Sequence, residues 1–340
     1  MVLFLAYLGA LSGAERYTAL AHAACATMRR TVRDNRDDLT WIGGFVGWGG
    51  VLYTLTHLAA LWRQPQLLDE AQEIVDILPA LIDQDAQLDV LSGAAGCLVA
   101  LLHLHEVRPC QRTLAAAIQC GDRLLARAQP AGDGLCWPLR GRGPLAGFSH
   151  GAAGIAWALL ALFARTREER FRTAARGGIA YERSVFSAEA GNWRDLRDTE
   201  HVRFPTAWCH GAPGIGLARL SSVPLLEDSG TRADIETALQ TTLATGFGFN
   251  HSLCHGDLGN LELLLQSGEP SWRDMAQRLA GAILDGARQH GWRCGTPTEV
   301  ESPGLMTGLA GIGYGLLRLA APTRVPSVLT LEGPRGASEP

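Results

Sequence analysis

Two short stretches of this 340-residue sequence place thiol and imidazole side chains directly before glycines. Cys209-His210-Gly211 and Cys254-His255-Gly256 each begin a Cys-His-Gly-x-x-Gly unit, and an apolar run follows each unit. Thiolate and imidazole ligands together suit zinc, and three protein ligands leave a fourth coordination position open for chemistry. The two cysteines and one of the two histidines are therefore candidate metal ligands. The alternative is that both cysteines are small buried residues, which free cysteines often are.

A further histidine has a similar position without a neighbouring cysteine. His150 directly precedes Gly151, the first glycine of another Gly-x-x-Gly. An imidazole near a metal-bound nucleophile is suited to general acid or base catalysis near neutral pH. Asp89 lies shortly before the motif that begins at Gly93, and it is a candidate to orient His150 or to share a proton with it. The alternatives are a hydrogen-bonded structural histidine and an aspartate that only caps a helix.

The glycine motif belongs to an internal repeat that must position these side chains. Runs that are apolar on more than one face alternate along the chain with amphipathic segments, which predicts inner and outer helices in an open solenoid or a closed ring. The glycines favour closure, because they let loops turn tightly and pack closely where the inner helices converge. Val2 to Gly9 is predicted to be a seventh inner helix without its own motif. The six motifs have their first glycines at Gly47, Gly93, Gly151, Gly211, Gly256 and Gly308.

Composition and charge argue against several other classes of protein. With 47% hydrophobic residues and a mean hydropathy of +0.05, the chain is expected to be globular and soluble. The net charge of -4 and the scattered Lys and Arg residues lack the basic footprint of a nucleic-acid binder. The apolar N-terminus is shorter than the roughly twenty residues of a membrane span and lacks the basic start of a signal peptide. A chain of this size has little need of disulfides, so its eight cysteines are expected to be reduced, in the cytoplasm.

The successive motifs resemble those of the lanthipeptide cyclases, or LanC-like proteins. The sequence is most similar to the C-terminal cyclase domain of bifunctional LanM-type synthetases at two places, around Trp208 and at Val325 to Leu329. The resemblance covers almost the whole chain. It is carried by Phe148 to Gly154, Trp208 to Gly214, Cys254-His255-Gly256 and Pro303 to Gly311.

The resemblance implies an all-α fold, an α/α toroid with a seven-fold repeat of inner and outer helices. We expect this domain over residues 1–322, followed by a partly disordered tail at residues 323–340. The first glycine motif and the outer helix ahead of it are missing, so the expected ring is one outer helix short at the N-terminus. The long loop from Gly191 to Thr206 precedes a motif, where long loops often carry recognition.

The resemblance also implies a metal site and the residues around it. One Zn²⁺ per chain is expected, bound by Cys209, Cys254 and His255. His150 is expected to act as the catalytic acid or base, assisted by Asp89. The resemblance leaves the role of the remaining histidine of the two Cys-His units undetermined.

The implied reaction adds a cysteine thiol of a dehydrated precursor peptide to dehydroalanine or dehydrobutyrine, which forms lanthionine or methyllanthionine. A separate dehydratase is a candidate partner. Two alternatives remain open at this point. A truncated, non-catalytic remnant of a synthetase would bind zinc and peptide without turnover. A glycan- or isoprenoid-processing enzyme on a similar helical ring would use paired carboxylates, but acidic residues near the motifs are few.

Overall fold

The computed structural model describes residues 1–139, 143–198, 200–226 and 228–335, which contain fourteen α-helices and four short strands. The strands form two antiparallel hairpins, β1 (Gln129–Ala131) with β2 (Gly134–Cys136) and β3 (Phe186–Ser187) with β4 (Asn192–Trp193). In chain order the helices are α1 (Val2–Ser12), α2 (Glu15–Asp34), α3 (Trp48–Trp62), α4 (Gln66–Val75), α5 (Leu78–Gln84), α6 (Ala94–Val107), α7 (Gln111–Arg127), α8 (Ala152–Thr166), α9 (Glu169–Ser184), α10 (Ala212–Ser222), α11 (Ser229–Thr245), α12 (Asp257–Gln266), α13 (Pro270–His290) and α14 (Leu309–Ala320).

Seven of these helices form a closed inner ring. Helices α1, α3, α6, α8, α10, α12 and α14 each contact the next in this series, and α1 contacts both α3 and α14. The contact between the first and last members closes the ring, which confirms the toroid and excludes the open solenoid. Helix α1 covers the segment Val2 to Gly9, so the prediction of a seventh inner helix there is confirmed.

The other helices form an outer layer, and each except α5 packs against the inner helix that precedes it in the chain, whereas α5 packs against the outer helices α4 and α7. Helices α4 and α5 together make one outer element, and the break between them lies just ahead of Pro79, which cannot continue a helical hydrogen-bond ladder. The described residues therefore contain seven inner and six outer elements. This is the arrangement that the sequence predicts, with one outer helix fewer than a complete seven-fold double ring.

The burial of the two layers follows from their sequence patterns. In the inner helix α8, eleven of the fifteen residues are buried, because both its neighbours in the ring and its outer partner cover it. In the outer helix α7, burial is confined to one face that includes Ala116, Ala117, Cys120 and Leu124. Although the inner helices are strongly apolar, none of the described helices has the combined length and apolarity that crossing a membrane requires.

The segment after α14 runs through the interior of the ring. Val325, Val328, Leu329 and Leu331 are each at most 3% exposed. The backbone carbonyl of Leu329 accepts a hydrogen bond from the indole Nε1 of Trp208 at 3.2 Å. This segment was expected to belong to a tail that begins at residue 323, whereas residues 325–331 are packed inside the toroid because their apolar side chains fill the space that the inner helices enclose. The end of the expected tail, residues 336–340, lies outside the described residues.

Leu329→Ala is expected to lower the free energy of unfolding by about 2–5 kcal/mol, because removing a buried leucine side chain leaves a cavity. Equilibrium urea denaturation followed by circular dichroism measures the change. Val300→Ala is the matched control, since Val300 is 62% exposed and its truncation should change the stability by no more than about 0.5 kcal/mol. Equal stability of the two variants would contradict the interior position of this segment.

Candidate metal centre

Backbone hydrogen bonds between successive loops align the starts of six inner helices. In each loop, the residue two places before the first glycine of the motif donates its N–H to the carbonyl of the equivalent residue in the next loop. The five bonds are 2.8 to 3.3 Å long. Equivalent positions of neighbouring loops therefore lie side by side around one mouth of the ring. The bonded residues, in order, are Phe45, Leu91, Ser149, Cys209, Cys254 and Met306.

The second glycine of each motif allows the loop to lie directly against the start of its helix. A Cβ atom on Gly214 would lie 1.9 Å from the carbonyl oxygen of Trp208, and one on Gly259 would lie 1.9 Å from that of Leu253. No side chain fits within such a distance. The close approach that the sequence predicts for these glycines is therefore present at both Cys-His units.

The aligned loops bring two thiols and one imidazole together. Cys209 and Cys254 are joined by the hydrogen bond from the Cys209 N–H to the Cys254 carbonyl, at 3.2 Å. One ligand-type atom from each of these cysteines and from His255 lies within 4.8 Å of the other two. Both cysteines are partly buried and form no disulfide. The structure thus gathers the three residues that the family resemblance implies as ligands into a cluster that could hold a metal ion.

The electrostatics of this cluster favour a cation. The hydrogen bond with the Cys254 thiol, together with the His255 ring, holds the pKa of the Cys209 thiol well below its usual value. The same hydrogen bond and burial raise the pKa of Cys254, and the hydrogen bond with Cys209 raises the pKa of His255. Negative charge therefore collects at Cys209, where two soft sulfur atoms and a nitrogen face one another.

His150 and Asp89 form a hydrogen-bonded pair beside this cluster. His150 Nδ1 lies 2.6 Å from Asp89 Oδ2. Asp89 is 1% exposed, and its other carboxylate oxygen accepts a hydrogen bond from the Ser92 N–H at 2.7 Å. Asp89 thus contacts the histidine and also stabilises the turn ahead of α6. It does not cap that helix, because the N–H of Ala94, the first residue of α6, donates to Asp85 Oδ2. Because Nδ1 is engaged, Nε2 is the ring nitrogen of His150 left to face a substrate.

His210 lies between the pair and the cluster. Its ring stacks beside that of His150, with centroids 6.0 Å apart and an interplanar angle of 27°. His210 is 3% exposed, and burial lowers its pKa. Within the described residues it is not a member of the group whose ligand atoms converge. Its observed contacts are those of a buried packing partner for His150.

An arginine that no motif marks in the sequence adds a positive charge at this mouth. Arg197 follows β4, and its Nε and Nη2 atoms donate to the carboxylate of Asp195 at 2.7 to 3.2 Å. The Asp195 side chain is only 7% exposed, so it holds the guanidinium in place. Arg197 also interacts electrostatically with the thiols of Cys209 and Cys254. The signal in the sequence was an Asp-x-Arg spacing within the loop Gly191 to Thr206, of which residue 199 lies outside the described part.

Residues 1–330 match the family described as lanthionine synthetase C-like protein. Among curated proteins, the chain is 28% identical over 247 residues to the lacticin 481/lactococcin biosynthesis protein LcnDR2 of Lactococcus lactis subsp. lactis. That alignment covers 68% of this chain and 25% of the relative. The chain therefore spans about a quarter of the length of the relative.

Several solved structures have a similar fold. Nisin cyclase superposes with a TM-score of 0.76 at 15% identity, over 97% of this chain and 89% of that chain. The Lin0763 protein from Listeria innocua superposes with a TM-score of 0.54 at 12% identity, over 84% of each chain. A sugar epimerase from a ruminal bacterium superposes with a TM-score of 0.54 at 9% identity, over 82% of this chain and 87% of that chain. These likenesses establish the fold, and the match over residues 1–330 establishes that the chain belongs to the lanthionine synthetase C-like family.

Proposed function

We propose that this protein closes thioether rings in a dehydrated precursor peptide. A cysteine thiol of the peptide would add to dehydroalanine or dehydrobutyrine and form lanthionine or methyllanthionine. The observation that carries the proposal is a cluster of two thiols and an imidazole next to a pair of the partly exposed His150 and the buried Asp89, at one mouth of a ring in this family. A lacticin biosynthesis protein among the relatives and nisin cyclase among the similar folds support the same interpretation.

The proposed cofactor is one Zn²⁺, held by Cys209, Cys254 and His255. Ligand atoms of a tetrahedral zinc site lie about 3.5–3.8 Å apart, given Zn–S of about 2.3 Å and Zn–N of about 2.0–2.1 Å. The three ligand-type atoms, which lie within 4.8 Å of one another, would reach this geometry by small side-chain rotations. These three residues would hold the ion with one coordination position open, and when bound it would supply the positive charge that favours the thiolate form of a substrate cysteine near neutral pH.

The addition needs one proton to leave sulfur and one to reach carbon. The sulfur bonds to the β-carbon of the dehydro residue, the electron pair of the double bond moves to the α-carbon, and a proton is added there. His150 Nε2 is proposed to take up the thiol proton or to protonate the enolate carbon. Asp89 holds the ring through Nδ1, which fixes its orientation and leaves Nε2 for the substrate.

Arg197 is proposed to offset the negative charge that the reaction brings in. The cluster already contains two thiol sulfurs, and a substrate thiolate adds a further negative charge beside them. Asp195 uses two donor atoms of the guanidinium, and among the described residues no hydrogen-bond acceptor engages Nη1. A fixed positive charge close to developing negative charge stabilises the transition state.

The proposed substrate is a peptide that already carries dehydrated serine or threonine residues. Because dehydration must come first, a dehydratase is the proposed partner in this reaction sequence. The non-catalytic remnant considered from the sequence would bind such a peptide without closing rings. The intact His150–Asp89 pair favours turnover over that alternative.

Wild-type protein is expected to contain about one zinc ion per chain, and Cys254→Ala to contain close to none, because two ligands hold zinc far more weakly than three. Elemental analysis by mass spectrometry after gel filtration measures the zinc content. Cys25→Ala is the matched control, since Cys25 is buried in α2 outside the cluster. A folded wild-type protein that stays metal-free after incubation with zinc would rule out the zinc proposal.

His150→Asn is expected to slow ring closure by about 10²–10⁴-fold, the usual contribution of a general acid or base, while zinc content stays unchanged. Ring closure leaves the mass of the peptide unchanged, so the assay alkylates the remaining free thiols and counts the labels by mass spectrometry. His103→Asn is the control, because His103 pairs with Glu106 near the C-terminal end of α6, whereas the cluster lies where the inner helices begin. Zinc-loaded wild type that consumes no thiol in any dehydrated peptide would favour the non-catalytic remnant.

Arg197→Gln is expected to slow thiol addition by about tenfold or more, through loss of charge stabilisation, with zinc content unchanged. Arg203→Gln is the matched control on the same loop, since Arg203 is 67% exposed and pairs with Asp198. The alkylation assay under single-turnover conditions measures both rates. Equal rates for the two variants would remove Arg197 from the proposed mechanism.

A further inference from the structure

The segment that follows α13 forms a wall of the candidate metal centre. His251 and Arg293 exchange two hydrogen bonds, from the His251 N–H to the Arg293 carbonyl at 2.9 Å and from the Arg293 N–H to His251 Nδ1 at 2.8 Å. Two residues later, the Gly295 N–H donates to the carbonyl of Thr307 at 2.8 Å. Cys294, between them, is fully buried. The segment is therefore held on both sides, by the loop that carries the second Cys-His unit and by the next loop of the ring.

Gly295 lies directly against the imidazole of His255. A Cβ atom at Gly295 would be 2.9 Å from His255 Nε2 and 2.5 Å from Ser252 Oγ. Both distances are shorter than the closest approach of a carbon atom to a nitrogen or oxygen atom. The backbone of Gly295 is held in place by its hydrogen bond to the carbonyl of Thr307. The φ angle of Gly295 is not positive, so the backbone conformation does not require glycine here. What requires glycine is the lack of space for a side chain.

The contact also distinguishes the two nitrogens of the ring. Nε2 is the nitrogen of the His255 ring that faces the backbone of Gly295, since it would lie only 2.9 Å from a Cβ atom at this position. Histidines that bind metals commonly donate their other N–H to a carbonyl, which sets the tautomer and the orientation of the ring. A proton on Nε2, donated to this backbone, would leave the lone pair of Nδ1 to bind a metal ion.

We propose that Gly295 is a positioning residue for the metal centre: its backbone holds His255 with Nε2 protonated and Nδ1 directed at the metal. The inference rests on the proposed zinc site. Beyond that site, it identifies the nitrogen of His255 that would bind the metal and the residue that orients the ring. It also explains why this position takes glycine, since a methyl group would collide with the imidazole of His255.

The first test is the zinc affinity of Gly295→Ala, measured by competition with a chromophoric chelator. We expect the affinity to fall by about 10–100-fold, as for loss of other partners of metal-binding histidines. Gly281→Ala is the matched control, because Gly281 is exposed on α13 with no other atom within 4 Å of an added Cβ, and its affinity should equal that of wild type. Cobalt-loaded Gly295→Ala should also show an altered d–d absorption spectrum, which a change in stability alone would not produce.

The added methyl group also meets Ser252, so the two contacts must be separated. Ser252→Gly is measured alone and combined with Gly295→Ala in a double-mutant cycle. If the methyl acts on His255, the Gly295→Ala loss of affinity persists in the Ser252→Gly background. Full recovery in the double variant would assign the loss to Ser252 and overturn the inference.

A measurement on the wild type keeps the test independent of how Gly295→Ala folds. A long-range ¹H–¹⁵N NMR spectrum of zinc-loaded protein with ¹⁵N-labelled histidine reports the protonated nitrogen of each ring, and His255→Gln assigns the signal. A proton on Nε2 with Nδ1 bound to metal supports the inference, and metal on Nε2 overturns it. Unchanged zinc affinity and cobalt spectrum in Gly295→Ala would overturn it as well. A wild type that binds neither ion would overturn the zinc site itself, which is a distinct result.

Discussion

The site depends on backbone hydrogen bonds between loops that are distant in the sequence. Five of the six motif loops each donate an N–H to the equivalent residue of the next loop, so that five successive bonds connect six loops around one mouth of the ring. Because the bonds join equivalent positions, residues that occupy the same place in two neighbouring repeats must lie side by side. The Cys209 N–H bonds to the Cys254 carbonyl in this series, and their sulfurs converge as a result. The glycines of the motifs make the series possible, since a Cβ atom at positions such as Gly214 would collide with the loop backbone.

One loop design thereby supports two kinds of chemistry. Where a cysteine precedes the histidine in two neighbouring loops, the side chains make a soft cluster suited to zinc. One loop earlier, the place of the cysteine is taken by Ser149, and His150 is free to pair with Asp89 instead of a metal. His210 packs beside that pair, with its ring near that of His150. A thiolate-forming centre and a proton-transferring group thus lie next to each other without any additional domain.

Elements outside the repeat complete the mouth and the interior. The last described segment fills the centre of the ring, and its hydrogen bond to Trp208 connects the packing of the interior to the residue directly before Cys209. On the outer side, the loop after β4 brings a guanidinium held by Asp195 toward the thiols. The segment around Gly295 lies against the histidine of the cluster. These three segments lack the glycine motif, so the repeated loops alone do not complete the site.

The sequence by itself determined the alternation of inner and outer helices and the position of the thiols at the starts of two inner helices, because helical periodicity and a repeated motif are properties of neighbouring residues. It left the open solenoid and the closed ring as alternatives, and the contact between α1 and α14 decided between them. The choice between the two histidines of the Cys-His units came from family resemblance, since both have the same local sequence. Only the tertiary structure decided that Asp89 meets His150 across 61 residues, that Arg197 interacts electrostatically with the thiols, and that residues 325–331 belong to the interior. Such contacts depend on how the ring closes and on which loops bond to each other, and no local pattern in the chain encodes them.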